Sequence, residues 1–110
     1  MNLWIDDIRP APEGYIWIKT VTAAIVICIE ESYLSSSGKM CLYLGEVNLD
    51  HDAGDMRSFG GDYISFLSWL EEKQQAEGWR IDAKFHIHSM NPVGRENMLR
   101  IIKRNGWSFS

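Results

Sequence analysis

Segments that read as strands are separated, along most of this 110-residue chain, by segments that read as helices, and that order constrains the fold more than any other feature. The clearest strand is Ile81, Ala83, Phe85 and Ile87 alternating with Asp82, Lys84, His86 and His88. A period of two puts the apolar set on one face and the polar set on the other. Asn2–Ile5 and the aromatic, β-branched Tyr15–Lys19 read as two earlier strands, and Met40–Leu49 as a third with a bulge or bend at Gly45. Thr20 or Thr22 caps a helix running to about Leu34, apolar on nearly every side through Ile29 and therefore expected to be well covered. Ser35–Gly38 breaks the chain behind it. Asp62 is the expected cap of a second helix, in which Tyr63, Phe66, Leu67 and Leu70 repeat at helical spacing before Gly78. Asn91 caps a third, with Pro92 at its first position, Val93, Met98, Ile101 and Ile102 lining it, and Asn105-Gly106 closing it. Trp107–Ser110 reads as a short last strand, and the five tryptophans as core.

Strands separated by helices argue for an α/β domain with a mainly parallel sheet. One joint strains that reading. Asp6 to Tyr15 is shorter than the dozen or more residues of an ordinary parallel crossover. Either the usual helix has shrunk to a loop or the first two strands are antiparallel. The length fits a single domain over residues 1–110.

Fifteen acidic against eleven basic side chains give a net charge of -4, which excludes a general DNA-coating role, since that needs a basic face. The longest uninterrupted apolar run, Ala23–Ile29, is far short of the roughly 20 residues of a membrane span. Asp6 and Asp7 come too early for a signal-peptide core, and Cys28 and Cys41 lack metal-ligand spacing, so a soluble cytoplasmic protein is expected.

Three strands end in reactive residues: Asp6-Asp7, Asp50-His51-Asp52 and His88-Ser89. In open parallel sheets, ligands bind outside the carboxyl ends of the strands, near the reversal of strand order. Three like charges at Asp6, Asp7 and Asp50 demand a compensating cation or raised pKa values. Mg²⁺ or Mn²⁺ suits such oxygen ligands, and Asp52 is a further candidate ligand. The plainer alternative is that Asp6 caps a turn and Asp7 pairs with Arg9.

His86 and His88 share one strand face with α-carbons ~6.5 Å apart, a spacing open to a transition metal or to a simple polar face with Asp82 and Lys84. His88, at the strand end, and His51, between two aspartates, are both candidates for general acid or base. The helix start Asn91–Gly94 offers a phosphate seat, with the amides of Val93 and Gly94 facing out, Ser89 and Asn91 alongside, and Arg9 and Arg95 as clamps. Read more plainly, Asn-Pro is a good cap, and Arg95, Arg100, Lys103 and Arg104 are a solvated face.

Taken together, Asp6-Asp7, Asp50, the Gly-rich helix start after it and Ser89 resemble the receiver domains of response regulators. Leu3–Arg9, Leu49–Asp52 and His88–Gly94 resemble more specifically the cyclic-phosphate processing receiver-like domain family. The resemblance implies a flavodoxin-like three-layer sandwich with a mostly parallel four- or five-stranded sheet, here with the first helix reduced to a loop. It implies Mg²⁺ at the acidic pair and third aspartate, Asp50 as a phosphate acceptor, and Ser89 against the phosphoryl group. It also implies action on a cyclic phosphate of a small molecule or RNA end. The chain departs from receivers in lacking a lysine after Gly106, where Lys103 and Lys84 are misplaced to serve. His51, His88 and Asn91 point instead to catalysis, as in a metal-dependent phosphoesterase. Phosphate or nucleotide sensing without turnover is the second expectation, and an interaction domain with a structural acidic rim the third.

Overall fold

The computed structural model describes Met1–Ser110. Six strands are formed, β1 (Leu3–Ile5), β2 (Ile16–Ile18), β3 (Tyr33–Leu34), β4 (Met40–Leu49), β5 (Arg80–Ile87) and β6 (Ser108–Phe109). Three helices join them, α1 (Val21–Glu31), α2 (Ile64–Glu77) and α3 (Pro92–Arg104), with a 3₁₀ turn over Gly54–Ser58. Five strands form a parallel sheet in the order β2-β1-β4-β5-β6, and β3 pairs antiparallel with the start of β4. No helix is long and apolar enough to cross a membrane.

The short connection resolves in favour of the loop. β1 and β2 run parallel, Leu3 beside Ile16 and Ile5 beside Ile18, with no helix between them. From β1 the chain steps outward to β2, then returns through α1 to β4 on the other side of β1. The reversal of strand order therefore lies between β1 and β4, and open parallel sheets bind ligands outside the carboxyl ends of the strands at such a reversal.

Parallel crossovers are right-handed. The three that carry helices all step in one direction along the sheet, so all three helices fall on one face. Burial agrees: Leu3 and Ile5 of β1, Leu42, Leu44, Val47 and Leu49 of β4, and Ile81 through Ile87 at every second position join one core cluster with Ala24, Cys28, Phe66, Leu70, Met98 and Ile102 of the helices. The parallel five-stranded sheet and the loop in place of the first helix are those expected, but the molecule has two layers rather than three. Trp4, Trp17, Glu46, Asn48, Lys84, His86 and His88 occupy the other face, which no helix covers.

Local details follow from single residues. The Thr20 hydroxyl accepts from the Ala23 amide and starts α1. That helix stops at Glu31, three residues before the expected end, because Tyr33 and Leu34 leave to pair with Cys41 and Met40. Only Val21, Ala24 and Cys28 of α1 are buried; Val26 and Ile29 face solvent, since a single layer covers a single stripe. Asp62 does not cap α2: Tyr63 holds that position without a side-chain bond, and the Asp62 carboxylate accepts from the Ala53 amide. In α3, Asn91 caps as expected, whereas Val93 is 69% exposed instead of lining the core. Gly45 marks a register shift in β4, where any β-carbon would meet the Asn2 side chain at 2.3 Å. Of the tryptophans only Trp107 is buried.

Candidate functional site

The carboxyl ends of β1 and β4 deliver Asp6, Asp7 and Asp50 to one place, with one donor oxygen from each within 4.8 Å of the others. Asp6 is almost fully buried. Its Oδ1 accepts from the amides of Ile8 and Arg9, both at 2.9 Å, and its Oδ2 meets His88 Nε2 at 2.8 Å. It thus caps the turn as the plainer reading held, yet also stands in the acidic group. Asp7 does not pair with Arg9; the Arg9 guanidinium donates to the His88 carbonyl at 3.1 Å. Asp50 Oδ1 accepts from the His51 amide.

The electrostatics divide the three carboxylates. Burial alone raises Asp6, but the amides of Arg9 and Ile8 and the His88 imidazole outweigh it and hold the carboxyl below its usual range. Asp7 is pushed up, first by burial and then by the charges of Asp6, Asp50 and Asp55, against a hydrogen bond from its own amide. Beneath them the Tyr63 hydroxyl, raised by burial and by the same aspartates, donates to the Lys19 carbonyl. Gly54, at φ +57°, leaves room for Asp7: a β-carbon there would fall 2.4 Å from its Oδ2. Three converging carboxylates, one of them raised by burial and by its like-charged neighbours, suit a hard divalent cation, which keeps waters in its remaining positions.

Because Asp7 has a folded pKa above its unfolded one, its ionisation costs the metal-free fold stability at any pH above that folded value. The cost disappears as pH falls below the ordinary carboxylate range. Asp7→Asn is therefore expected to melt a few degrees higher than wild type in EDTA at pH 7 and equally at pH 3. The same variant loses any rise in melting temperature that Mn²⁺ gives wild type.

Asp52 stands apart from this group. It holds His51 Nδ1 at 2.8 Å and belongs with His51 and Asp62 to a second set of neighbouring donors. The His51 ring packs on Gly94, where a β-carbon would lie 2.5 Å from its Cγ. His88 is engaged at both nitrogens, Nε2 by Asp6 and Nδ1 by Asn48, and stacks on Trp4 at 4.1 Å with the rings 6° apart. Gly94→Ala must displace His51, and we expect a loss of about 1–3 kcal/mol in urea unfolding and about a hundredfold in any turnover His51 supports.

The helix start is more occupied than the sequence suggests. The Gly94 amide donates to Asn91 Oδ1 and the Arg95 amide to the Asn91 carbonyl, which leaves Val93 as the amide free to meet an anion. Ser89 Oγ accepts from the Asn91 amide, so its own proton is available. Arg95 spends one nitrogen on the Ile87 carbonyl. His86 lies away from the acidic group, between Glu46 and Ser110. Sequence reasoning missed Trp4, Trp17, Asn48 and Gly54. Trp4 and Trp17 read as ordinary strand aromatics, and only the parallel register Trp4–Trp17 and Trp4–Asn48 signals that they meet on the face of His88.

No match to the chain was found among curated proteins or among solved structures. A family model, that of the cyclic-phosphate processing receiver domain, matches residues 1–104 and so takes in the acidic pair, Asp50, both rim histidines and the Asn91 helix start. The chain belongs to the family of cyclic-phosphate processing receiver domains.

Proposed function

We propose that this domain is a metal-dependent phosphoesterase that opens a cyclic phosphate on a nucleotide or an RNA end. The observation that carries the reading is the meeting of Asp6, Asp7 and Asp50 at the reversal of strand order, within one cation's reach of each other. These three residues would hold Mg²⁺ or Mn²⁺. When bound, such an ion neutralises phosphate charge and activates water.

The chain's own groups divide the remaining work. Asp52 fixes the orientation of the His51 imidazole through Nδ1, leaving Nε2 to protonate the departing sugar oxygen as water attacks phosphorus and the ring P–O bond breaks. His88, bound at both nitrogens, orients Asp6 instead. The Ser89 hydroxyl, the Val93 amide and the free nitrogens of Arg9 and Arg95 bind non-bridging oxygens. Nucleoside 2′,3′-cyclic phosphates, 3′,5′-cyclic mononucleotides and cyclic oligonucleotides, incubated with Mn²⁺ and with EDTA, test the reading. Phosphomonoester formed only with the cation supports it. Turnover indifferent to EDTA removes the metal-carboxylate mechanism. Mn²⁺ binding with no turnover, together with a stable acyl-phosphate on Asp50 from acetyl phosphate, would replace it with phosphate sensing.

A further inference from the structure

Resting on the reading of Asp6, Asp7 and Asp50 as a cation site, we propose that Trp4 and Trp17 are its positioning residues, doing from the open sheet face what a helix after β1 would otherwise do. The segment that leaves β1 has no helix to lean on, and it carries two of the three carboxylates. It is fastened by indoles. Trp17 Nε1 donates to the Asp6 carbonyl at 2.7 Å, and Trp4 Nε1 donates to the Arg9 carbonyl at 2.8 Å. These bonds fall on the first and last residues of the Asp6–Arg9 turn, while the Asp6 side chain binds the amides of Ile8 and Arg9 within it.

The register explains how one face supplies both anchors. Trp4 and Trp17 are direct neighbours across the parallel β1–β2 pair, and side chains paired this way project from the same face. Each can reach the loop above it because no helix covers that face. Trp4 has a second contact: its ring lies flat on His88, the residue that holds Asp6 Oδ2, and Arg9 closes the circuit through the His88 carbonyl. Lys19 sits over the Trp17 ring at 4.4 Å and packs that indole in place. Position and orientation of the Asp6 carboxylate thus depend on two N–H donors that touch neither cation nor phosphate.

Trp17→Phe and Trp4→Phe each keep an aromatic ring and delete one donor. Each is expected to weaken Mn²⁺ binding, read by calorimetry, about fivefold, the effect of one lost hydrogen bond. Trp79→Phe, remote from the site, is expected to leave Mn²⁺ affinity unchanged. In hydrogen exchange without metal, the Ile8 and Arg9 amides are expected to lose protection in the two variants while Phe85 in β5 keeps its own. Unchanged exchange at Ile8 and Arg9 would overturn the proposal. A lower melting temperature with unchanged Mn²⁺ affinity would also overturn it, reducing the indoles to structural residues. If wild type fails to bind Mn²⁺, the cation reading falls, and the exchange result still decides whether the indoles hold the turn.

Discussion

Asp50→Asn is expected to reduce cyclic-phosphate hydrolysis by about a thousandfold or more, the scale on which single members of a catalytic group act, with no measurable loss of thermal stability. The two halves of that expectation have separate causes. Asp50 stands at the tip of β4, and the proposed chemistry needs its negative charge, whether to hold a cation or to attack phosphorus. Its only side-chain hydrogen bond is the one Oδ1 accepts from the His51 amide at 2.8 Å, which an asparagine carbonyl oxygen keeps. Steady-state assays with nucleoside cyclic phosphates and a melting curve are sufficient. Turnover within tenfold of wild type would remove Asp50 from the mechanism.

Asp6→Ala reverses the balance, because the structural loss is then as large as the functional one. Two amides and the His88 imidazole lose their acceptor inside a nearly closed site. Removing one partner of a buried charged group costs about 3–5 kcal/mol, and urea unfolding with and without Mn²⁺ would measure it. The pH dependence carries a sign. The folded pKa of Asp6 is depressed, so its contribution is fully present above the unfolded value and disappears as pH falls through the lower folded one. The gap between wild type and Asp6→Ala should therefore narrow in acid. A variant as stable as wild type at pH 7 would show that the turn is held by other bonds.

Much of this arrangement is legible in the sequence, for identifiable reasons. The alternation at Ile81–His88 has a single geometric solution, and Asn91-Pro92 is a chemical signal for a helix start, so both elements appear where expected. Polar endings on three strands point to one rim because parallel strands end on the same side. The layer count depends on something periodicity does not carry. Only strand order combined with crossover handedness shows that the three helices share a face, and strand order is a long-range property. The same gap explains Val26 and Ile29, apolar but exposed, and the indoles of Trp4 and Trp17, whose partners come from loops 5 and 11 residues away. Asp62 looks like a cap by type and place, but a competing acceptor role at the Ala53 amide takes its side chain. At Asn91–Gly94 the sequence offers the amides of Val93 and Gly94, but the cap takes the Gly94 donor and leaves that of Val93.

The ten-residue β4 lies at the centre of the sheet, whereas β2 and β6 at its margins have three and two residues. Free energies of local opening are smallest at such margins and largest in the middle. Thermal breathing therefore spares the strand on which Asp50 is mounted and begins at the sheet edge formed by the strand on which Trp17 is mounted. The acidic cluster is built like a vice with one fixed jaw and one that gives: the β4 side stays put, and the Asp6–Asp7 side yields first when the sheet's outer border frays.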